Sequence, residues 1–409
     1  MQIAGIVAEY NPFHNGHYYQ ITQTKAKTGC DAIVAIMSGN FSQRGSATIT
    51  DKFTRTKMAL LNGVDLVLEL PVPFATASAE TFARSAVGLL HQSQIIDFIS
   101  FGSECGDISL LDTIAQTLIR DTNKLDPLIK NFLKQGLSFP RARQQALIDF
   151  LSSSVSSKVY YDLKETLESP NNILGIEYLK ALHTLNTSIS PFTVKRANSN
   201  YHDIKITGSI ASATAIRHSI TSDTIQYKDC MPNSAANLLS CTQLPSMETL
   251  ASFLHFKLMF SKREELYSLW DIPKDLIHTF IKHAQDAPSY AELVNRSTSK
   301  TYTRATVQRG LLRILLDIHT EDIKPFVTQP NLPYIRVLGC RKDATSLLRL
   351  LSAKSCVPLI TNLGKQYNTL DCFQNQLIDY ELRAAKLYQY ITHQAQHTIQ
   401  DFTHPFILV

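Results

Sequence analysis

Residues 3–17 read IAGIVAEYNPFHNGH, an apolar run that passes directly into a polar turn with two histidines. The apolar half, rich in Ile and Val, predicts a β-strand that is buried on both faces. Pro12 ends this strand because proline cannot donate a hydrogen bond to a neighbouring strand. A helix is predicted to follow at 17–27. Strand, turn and helix in this order predict an α/β fold with a parallel sheet.

The turn between this strand and helix suits a phosphate group. Gly16 allows a ligand to approach the backbone closely, and the helix N-terminus offers free N–H groups and a positive dipole end. His14 and His17 are three residues apart, so both imidazoles fall on one face of the first helical turn. Two core or solvated histidines are the alternative. A metal site is less favoured, because no nearby Cys, Asp or third His completes a coordination set.

The alternation of strand and helix continues along the chain. Short apolar runs predict strands at 31–37, 65–70 and 95–101, and intervening segments predict helices at 51–62 and 78–90. The next stretch, 107–186, is mainly helical in pattern, and a strand near 192–195 and a helix near Ser212 follow. This pattern predicts one α/β domain over residues 1–225.

The second part of the chain has a different pattern. A polar stretch at 221–234 ends the alternation of strand and helix, so we predict a second, mostly α-helical domain over residues 226–409. A strand at 334–338 predicts a small sheet within it. No internal repeat or low-complexity tract is visible.

The composition excludes several classes of protein. With 409 residues, 44% hydrophobic and 18% charged, the chain has the composition of an ordinary globular protein. No signal peptide and no apolar run of about 20 residues is visible, which predicts a cytoplasmic protein with no membrane span. The seven cysteines form no Cys-x-x-Cys pair, and no dedicated metal site is predicted. The net charge of +5 permits a polyanionic partner without requiring one.

A second phosphate-binding candidate lies at 208–217, which reads GSIASATAIR. A helix N-terminus, hydroxyl groups and a basic side chain together suit phosphate, with Ser212, Thr214 and Arg217 as the candidate contacts. The alternative is a helix capped by a serine or threonine side chain.

These two stretches resemble the His-x-Gly-His and Ile-Ser-Ser-Thr-x-x-Arg elements of nucleotidyltransferases, with Ala213 in place of one hydroxyl residue. A closer resemblance is to the bacterial tRNA(Met) cytidine acetate ligase family. The stretches that carry it are EYNPFHNGH (9–17), SGNFSQRG (38–45), DLVLELP (65–71), FGSE (101–104), SPNNILGIEY (169–178), KR (195–196), YTR (302–304) and RVLG (336–339).

The resemblance implies a Rossmann-like, HUP-type nucleotidyltransferase domain that binds ATP, followed by a helical domain that binds tRNA. Acetate and ATP would give acetyl-adenylate and diphosphate, and the acetyl group would pass to N4 of the wobble cytidine of elongator tRNA(Met), releasing AMP. His14, His17 and Arg217 would be catalytic through charge stabilisation. Mg²⁺ would accompany the ATP phosphates, since it rarely occupies an all-protein cage.

The resemblance also implies a set of binding residues. The ATP contacts would be Val7, Ala8, Glu9, Tyr10, Asn11, Pro12, Phe13, His14, Asn15, Gly16, His17, Tyr18, Tyr19, Gln20, Gly102, Asn171 and Arg196. Further candidates for acetate or phosphate contacts are Asn40, Gln43, Arg44, Lys195, Ser212 and Thr214. The first three of these follow the second strand, at the carboxyl end where α/β sheets bind ligands, although a plain surface loop would read the same way.

Two points stay open at this level. Either Asn171 or Asn172 is expected to contact the adenine, but either residue also suits a helix N-cap after Pro170. For tRNA, the expected contacts are a basic side of one helix, with a solvated helix face as the alternative. The basic residues on this side are Lys300, Arg304, Arg309 and Arg313, and Arg336, Arg341 and Lys342 add further positive charge.

Two other functions fit part of the pattern. One is an adenylyltransferase that makes a dinucleotide-type cofactor, although a large helical second domain argues against it. The other is a non-catalytic protein that binds nucleotide or RNA, and the intact His14, Gly16 and His17 argue against that. The sequence sets no oligomeric state.

Overall fold

The computed structural model describes residues 1–152, 157–196, 206, 208–222, 224–328, 331–392 and 399–409. The strands of these residues are β1 (Ile3–Ala8), β2 (Ala32–Ser38), β3 (Leu66–Leu70), β4 (Phe98–Ser103), β5 (Ser190–Lys195), β6 (Ile335–Cys340), β7 (Leu359–Ile360) and β8 (Ile407–Leu408).

The α-helices of the same residues are α1 (Asn15–Thr28), α2 (Lys52–Leu61), α3 (Val72–Ala75), α4 (Ala79–Ser93), α5 (Ile108–Arg120), α6 (Thr122–Lys134), α7 (Phe139–Ser152), α8 (Ser157–Glu168), α9 (Pro170–Thr184), α10 (Ala213–Thr221), α11 (Asn233–Leu239), α12 (Ala251–Phe260), α13 (Arg263–Tyr267), α14 (Lys274–Ala284), α15 (Tyr290–Ser297), α16 (Arg304–Leu316), α17 (Thr320–Thr328), α18 (Thr345–Lys354), α19 (Leu363–Gln366), α20 (Cys372–Ile391) and α21 (Gln400–Thr403). None of the described helices combines the length and the apolar character that crossing a bilayer requires.

The described strands form one mainly parallel sheet in the order β5-β4-β1-β2-β3-β6-β7, with β8 paired to β6. Strand β1 pairs in parallel with both β2 and β4, and β2 pairs in parallel with β3. Strand β4 pairs in parallel with β5, whereas β3 and β6 are antiparallel. The predicted α/β fold with a parallel sheet is therefore confirmed.

The strand predicted at 334–338 is present as β6, but the small separate sheet predicted for the second part is wrong. Strand β6 pairs with β3 and extends the N-terminal sheet. The pairing buries β6 on both faces, from Ile335 to Cys340, which an isolated small sheet would not achieve. The division of the chain at residues 225 and 226 stays a prediction.

Helices pack on both faces of the sheet because its strands are apolar on both sides. In β2, Val34 and Ile36 face one core cluster, and Ile33 and Met37 face the other, as the alternation of side chains along a strand requires. Helices α4, α5 and α9 contribute to the first core cluster, and α1, α2 and α10 to the second.

Local capping signals set where several helices begin. The Asp51 carboxylate accepts from the backbone N–H of Phe53 and Thr54, both at 2.9 Å, and so caps α2 as predicted. The Ser78 hydroxyl caps α4 by accepting from Thr81. Asp51 and Ser78 therefore place α2 and α4 directly after the loops that follow β2 and β3.

Five charged side chains from distant parts of the chain form a buried ionic cluster. It consists of Lys52, Glu69, Arg336, Glu381 and Asp401, each no more than 5% exposed. Lys52 Nζ lies 2.7 Å from Glu69 Oε1 and 2.5 Å from Asp401 Oδ1. Arg336 Nη1 lies 2.9 Å from Glu69 Oε2 and 2.7 Å from Asp401 Oδ1. The cluster ties β6, α20 and α21 to α2 and β3.

Candidate active site

The two histidines of the opening motif form the first turn of α1. His14 is the N-cap, and its Nδ1 accepts from the backbone N–H of Gly16 at 3.1 Å. The backbone N–H of His14 in turn donates to His17 Nδ1 at 3.2 Å. A Cβ atom at Gly16 would lie 2.8 Å from the His14 ring, so glycine is needed here for the imidazole to fold over the helix start.

These hydrogen bonds fix the proton on each imidazole. Because both Nδ1 atoms act as acceptors, the neutral rings of His14 and His17 carry their proton on Nε2. The two rings stack with centroids 3.8 Å apart and an interplanar angle of 24°. The site therefore holds two parallel donors on one face of α1.

The surroundings keep both imidazoles uncharged. Burial, helped by the charges of Arg196 and Arg217, lowers the pKa of His14 to about 3. Burial, together with the neighbouring His14 and Arg196, holds the pKa of His17 well below its ordinary value. Each ring is thus neutral at physiological pH and donates through Nε2–H.

Arg217 connects α10 to the same turn. Its Nη1 donates to the backbone oxygen of Asn11 at 2.7 Å, and its Nη2 donates to Thr214 Oγ1 at 3.2 Å. Burial lowers the pKa of Arg217, with Glu9 opposing and Arg44 reinforcing the shift. Ser212 is the N-cap of α10 and its Oγ accepts from Ala215, so this hydroxyl has the capping role that the sequence left as an alternative.

A cleft with about 450 Å³ of empty volume opens beside the two histidines. Most of the basic residues and glycines that were predicted to contact the nucleotide line this one cleft. Its lining residues are His14, Gly16, His17, Tyr19, Gln20, Gly102, Val194, Lys195, Arg196, Ile210 and Ala211. A Cβ atom at Gly102 would lie 3.4 Å from Arg196 Cγ, so the arginine stem lies directly against this glycine.

The rest of the predicted ATP segment does not line this cleft. The side chains of Tyr10, Asn11, Pro12 and Phe13 are buried, and Tyr10 and Phe13 belong to the core. Their rings pack against each other and against His17, with centroids 4.9 to 5.5 Å apart. These residues support the histidines and present no side chain to a ligand.

Other members of the segment have structural partners. Asn15 Nδ2 donates to the backbone oxygens of Ser209 and Asp229, at 2.8 and 3.0 Å, and so fixes the approach to α10. Tyr18 is 52% exposed on the outer side of α1. Val7, Ala8 and Glu9 lie at the end of β1 and are half-buried.

The loop after β2 is held by its own hydrogen bonds. Asn40 Oδ1 accepts from the backbone N–H of Lys52 at 2.8 Å, and Gln43 Nε2 donates to the backbone oxygen of Ala77 at 3.0 Å. Both amides are therefore used in fixing the loop. Arg44 is exposed, and its charge contributes to the lowered pKa of Arg217.

The two asparagines after Pro170 have different surroundings. Asn172 is 1% exposed, and its Oδ1 accepts from the backbone N–H of Glu104 and Cys105, at 2.8 and 3.2 Å. Asn171 is half-buried and donates through Nδ2 to Glu104 Oε1 at 2.6 Å. Neither is the N-cap, because Ser169 occupies that position of α9. Asn171 is thus the one that can face a ligand.

The basic residues predicted to contact tRNA include two arginines that are buried, so the prediction is wrong for these two. Arg313 is 1% exposed and pairs with Asp271 at 3.0 Å, and Arg336 lies in the buried ionic cluster. Arg309 is half-buried. Lys300, Arg304 and Lys342 are exposed, whereas Arg341 is half-buried and pairs with Asp343.

Sequence reasoning gave no role to two side chains that organise the site. Arg55 is fully buried and donates to the backbone oxygens of Glu9, Ser38 and Thr50, at 2.6, 3.1 and 3.1 Å, and also to that of Gly39. It thereby holds the carboxyl ends of β1 and β2. Glu104 joins β4 to α9. Glu104 lies in the FGSE stretch that carries the resemblance, whereas Arg55 lies inside the helix predicted at 51–62 and no feature of the sequence indicated its contacts.

Comparison with known proteins agrees with this geometry. Residues 1–402 match the family described as HIGH Nucleotidyl Transferase. A tRNA(Met) cytidine acetate ligase of Clostridium perfringens is 37% identical over 393 residues, which cover 96% of each chain. One of Acetivibrio thermocellus is 36% identical over 421 aligned positions, covering 100% of both chains. The chain belongs to the tRNA(Met) cytidine acetate ligase family of HIGH nucleotidyl transferases.

Solved structures of this family have the same fold. The crystal structure of Thermotoga maritima TmcAL without ligand superposes with a TM-score of 0.92 at 30% identity, covering 100% of both chains. The structure of the same enzyme bound to alpha-thio ATP superposes with a TM-score of 0.90 at 29% identity, again over the full length of both. The resemblance inferred from the sequence motifs is confirmed.

Proposed function

We propose that this chain activates acetate with ATP and transfers the acetyl group to N4 of the wobble cytidine of elongator tRNA(Met), with release of AMP and diphosphate. The observation that carries the proposal is the convergence of two neutral imidazoles and a guanidinium on one cleft, with a second guanidinium in contact with the same turn. The names of the full-length relatives and the alpha-thio ATP bound to the Thermotoga maritima enzyme support it.

In the first step, an acetate oxygen attacks the α-phosphorus of ATP while the bond to the diphosphate breaks. Both reactants are anionic, so the site must offset their repulsion and the charge that gathers on the phosphate oxygens. The Nε2–H groups of His14 and His17 donate from α1, and Arg196 and Arg217 add positive charge. Donors that are fixed in advance stabilise the transition state without reorganising.

In the second step, the cytidine N4 amine attacks the acetyl carbon of acetyl-adenylate, and AMP leaves. The amine loses one proton in this step, and the phosphate of AMP takes the bonding electrons. No covalent bond to the enzyme is needed. The neutral state of His14 and His17 suits both steps, because each ring keeps an Nε2–H donor without a change of protonation.

Mg²⁺ is proposed to enter with the ATP phosphates. Within the part of the chain that the structure describes, no group of three or more His, Cys, Asp or Glu side chains is arranged to hold a metal ion. Mg²⁺ that retains several waters and bridges phosphate oxygens needs no such cage.

The RNA is proposed to bind across the exposed surface where the loop after β2 contacts α16. At Gly45, with φ +78°, an added Cβ would lie 2.5 Å from the backbone nitrogen of Arg309, so the loop lies directly on α16. Arg44 on one side of this contact and Arg304 with Lys300 on the other are exposed. Exposed basic side chains of this kind suit contacts to an RNA backbone. A role for residues 226–409 in tRNA binding is part of the same proposal.

The decisive experiment is acetate-dependent exchange of labelled diphosphate into ATP, measured without tRNA. We expect exchange with wild type and a loss of about 100- to 1000-fold in His14→Ala and in His17→Ala. His91→Ala, a half-buried histidine on α4, is the matched control. Exchange that needs a nucleotide monophosphate acceptor would instead favour the dinucleotide-forming enzyme, and absence of exchange under all conditions would favour a binding protein.

The RNA half needs its own test. Transcripts of elongator and initiator tRNA(Met) are compared for acetyl transfer, and equal acetylation would contradict the elongator assignment. Arg304→Ala, a change at an exposed residue, is expected to raise KM for tRNA and to flatten its salt dependence, while diphosphate exchange is retained.

A further inference from the structure

The end of β4 and the start of α9 exchange hydrogen bonds through Glu104 and two asparagines. Glu104 Oε2 accepts from the backbone N–H of Asn172 at 2.9 Å, and Oε1 accepts from Asn171 Nδ2 at 2.6 Å and more weakly from its backbone N–H at 3.4 Å. In return, Asn172 Oδ1 accepts from the backbone N–H of Glu104 at 2.8 Å. A carboxylate at a helix N-terminus is also favoured by the helix dipole.

This arrangement leaves one polar atom of Asn171 for a ligand. Its Nδ2 faces Glu104, because the opposite amide orientation would set Oδ1 against a carboxylate oxygen. Asn171 Oδ1 accepts no hydrogen bond from any described residue, and the side chain is half-exposed. The atom left for a ligand is thus the acceptor Oδ1, because Glu104 holds the donor Nδ2 on the opposite side.

The position of this acceptor relative to the cleft matches a purine base. Phosphates belong at the starts of α1 and α10, where His14 and Ala211 line the cleft. Gly102 on β4 and Arg196 after β5 line its other end, one and two strands away from β1, and each strand adds about 4.8 Å. Glu104 follows Gly102 by two residues and its charge acts on Arg196, so Glu104 and the Asn171 amide bound to it lie close to this end of the cleft.

We propose that Glu104 is a positioning residue that makes the base subsite selective for a 6-aminopurine. It holds the Asn171 amide with Oδ1 outward, and this oxygen accepts from the 6-amino group of adenine. A 6-oxopurine has a carbonyl oxygen at this position. Two acceptors, this oxygen and Asn171 Oδ1, would then face each other without a hydrogen bond. The inference rests on the proposed function, because it concerns the nucleotide used for acetate activation.

Glu104→Gln tests the proposal with the shape of the side chain conserved. The amide that this substitution introduces can donate to Asn171 Oδ1 while its oxygen keeps the bond from the Asn172 N–H, so the Asn171 amide turns and presents Nδ2 outward. Acetate-dependent diphosphate exchange is measured with ATP and with ITP, which carries a 6-oxo group. Glu165→Gln, an exposed glutamate on α8, is the matched control.

We expect wild type and the Glu165→Gln control to favour ATP over ITP by about 10- to 100-fold in kcat/KM. In Glu104→Gln this ratio falls by about tenfold or more, mainly through KM. Asn171→Ala, which keeps the backbone bonds of α9 to Glu104, is expected to lose most of the discrimination as well. Thermal unfolding checks that each variant is folded, and Asn171→Ala decides the matter if Glu104→Gln does not fold.

An unchanged ATP to ITP ratio in a folded Glu104→Gln variant, with both nucleotides used less well, would reduce Glu104 to a structural role and overturn the proposal. Wild type that uses ITP as well as ATP would overturn it too. If wild type shows no acetate-dependent exchange with either nucleotide, the proposed function fails. Calorimetric binding of ATP and ITP to the same variants then decides on base selection separately.

Discussion

Replacing Lys52 by methionine removes one of two cations from the buried ionic cluster. Lys52 Nζ lies 2.7 Å from Glu69 Oε1, 2.5 Å from Asp401 Oδ1 and 3.9 Å from Glu381 Oε2, and the side chain is 1% exposed. Water cannot replace the lost ammonium at such burial. Because breaking a buried pair by removing one partner typically costs about 3–5 kcal/mol, we expect Lys52→Met to lose this much stability.

The loss is measured by denaturant unfolding, followed by circular dichroism and by the fluorescence of the single tryptophan, Trp270. Lys57→Met is the control, because Lys57 lies on the same helix α2 but is exposed. Asp401→Asn and the double variant complete a double-mutant cycle, in which the combined loss is expected to be smaller than the sum. A Lys52→Met variant no less stable than Lys57→Met would refute the reasoning.

The pH dependence of this loss has a definite sign. In wild type, burial raises the pKa of Asp401, but Lys52 and Arg336 outweigh it and hold that pKa below its ordinary value. The Asp401 carboxylate therefore stabilises the fold at pH values above the pKa that it has in the unfolded chain. This contribution is lost as the pH falls through the lower pKa that it has in the folded protein. Without Lys52 the buried carboxyls bind protons more tightly when folded than when unfolded. The deficit of Lys52→Met should hence shrink as pH is lowered toward about 5.

Three further predictions concern groups near the catalytic turn and the cluster. Burial, followed by the charge of Glu69, holds the pKa of Glu381 well above its ordinary value, so its negative charge is disfavoured and Glu381→Gln should cost less stability than Lys52→Met; an equal loss by denaturant unfolding contradicts it. Arg55→Lys leaves buried carbonyls of both strand ends without a donor, and we expect about 2–4 kcal/mol less stability by thermal unfolding together with reduced exchange. Because the pKa of His14 is lowered to about 3 and that of His17 also lies far below its usual value, kcat for exchange at saturating substrates should stay flat between about pH 6 and 8; an acid limb that moves in His17→Asn would show that a histidine titrates there.

Local signals made much of the fold predictable. The capping residues Asp51 and Ser78 start helices where the sequence places them, because a cap is satisfied by backbone groups within the next three residues. Strand β6 was also found from its apolar run. The strand that β6 pairs with was not predicted. Pairing with β3 brings together residues about 270 positions apart in the chain, and an apolar run does not indicate which strand lies beside it.

The site was predictable where one short motif contains both its chemistry and its geometry. His14 and His17 belong to this class, because three residues of helix set their alignment. The burial of Arg313 and Arg336 was not predictable, because an arginine in a sequence usually indicates surface charge. Their ion-pair partners, Asp271 and Asp401, are distant in the sequence. Asn171 and Asn172 were separable only once Glu104 was seen to face one and the Thr166 carbonyl to face the other.

The antiparallel pairing of β6 with β3 has a consequence for the order of events during synthesis. Until residues 335–340 have left the ribosome, the outer side of β3 is an unpaired edge strand with free N–H and C=O groups, and Glu69 beside it lacks its ion pair with Arg336. Such an edge is a template for pairing with other chains. The nascent N-terminal part of the sheet would therefore depend on a chaperone or on rapid elongation, and a fragment ending near residue 225 would aggregate unless a strand is supplied in trans.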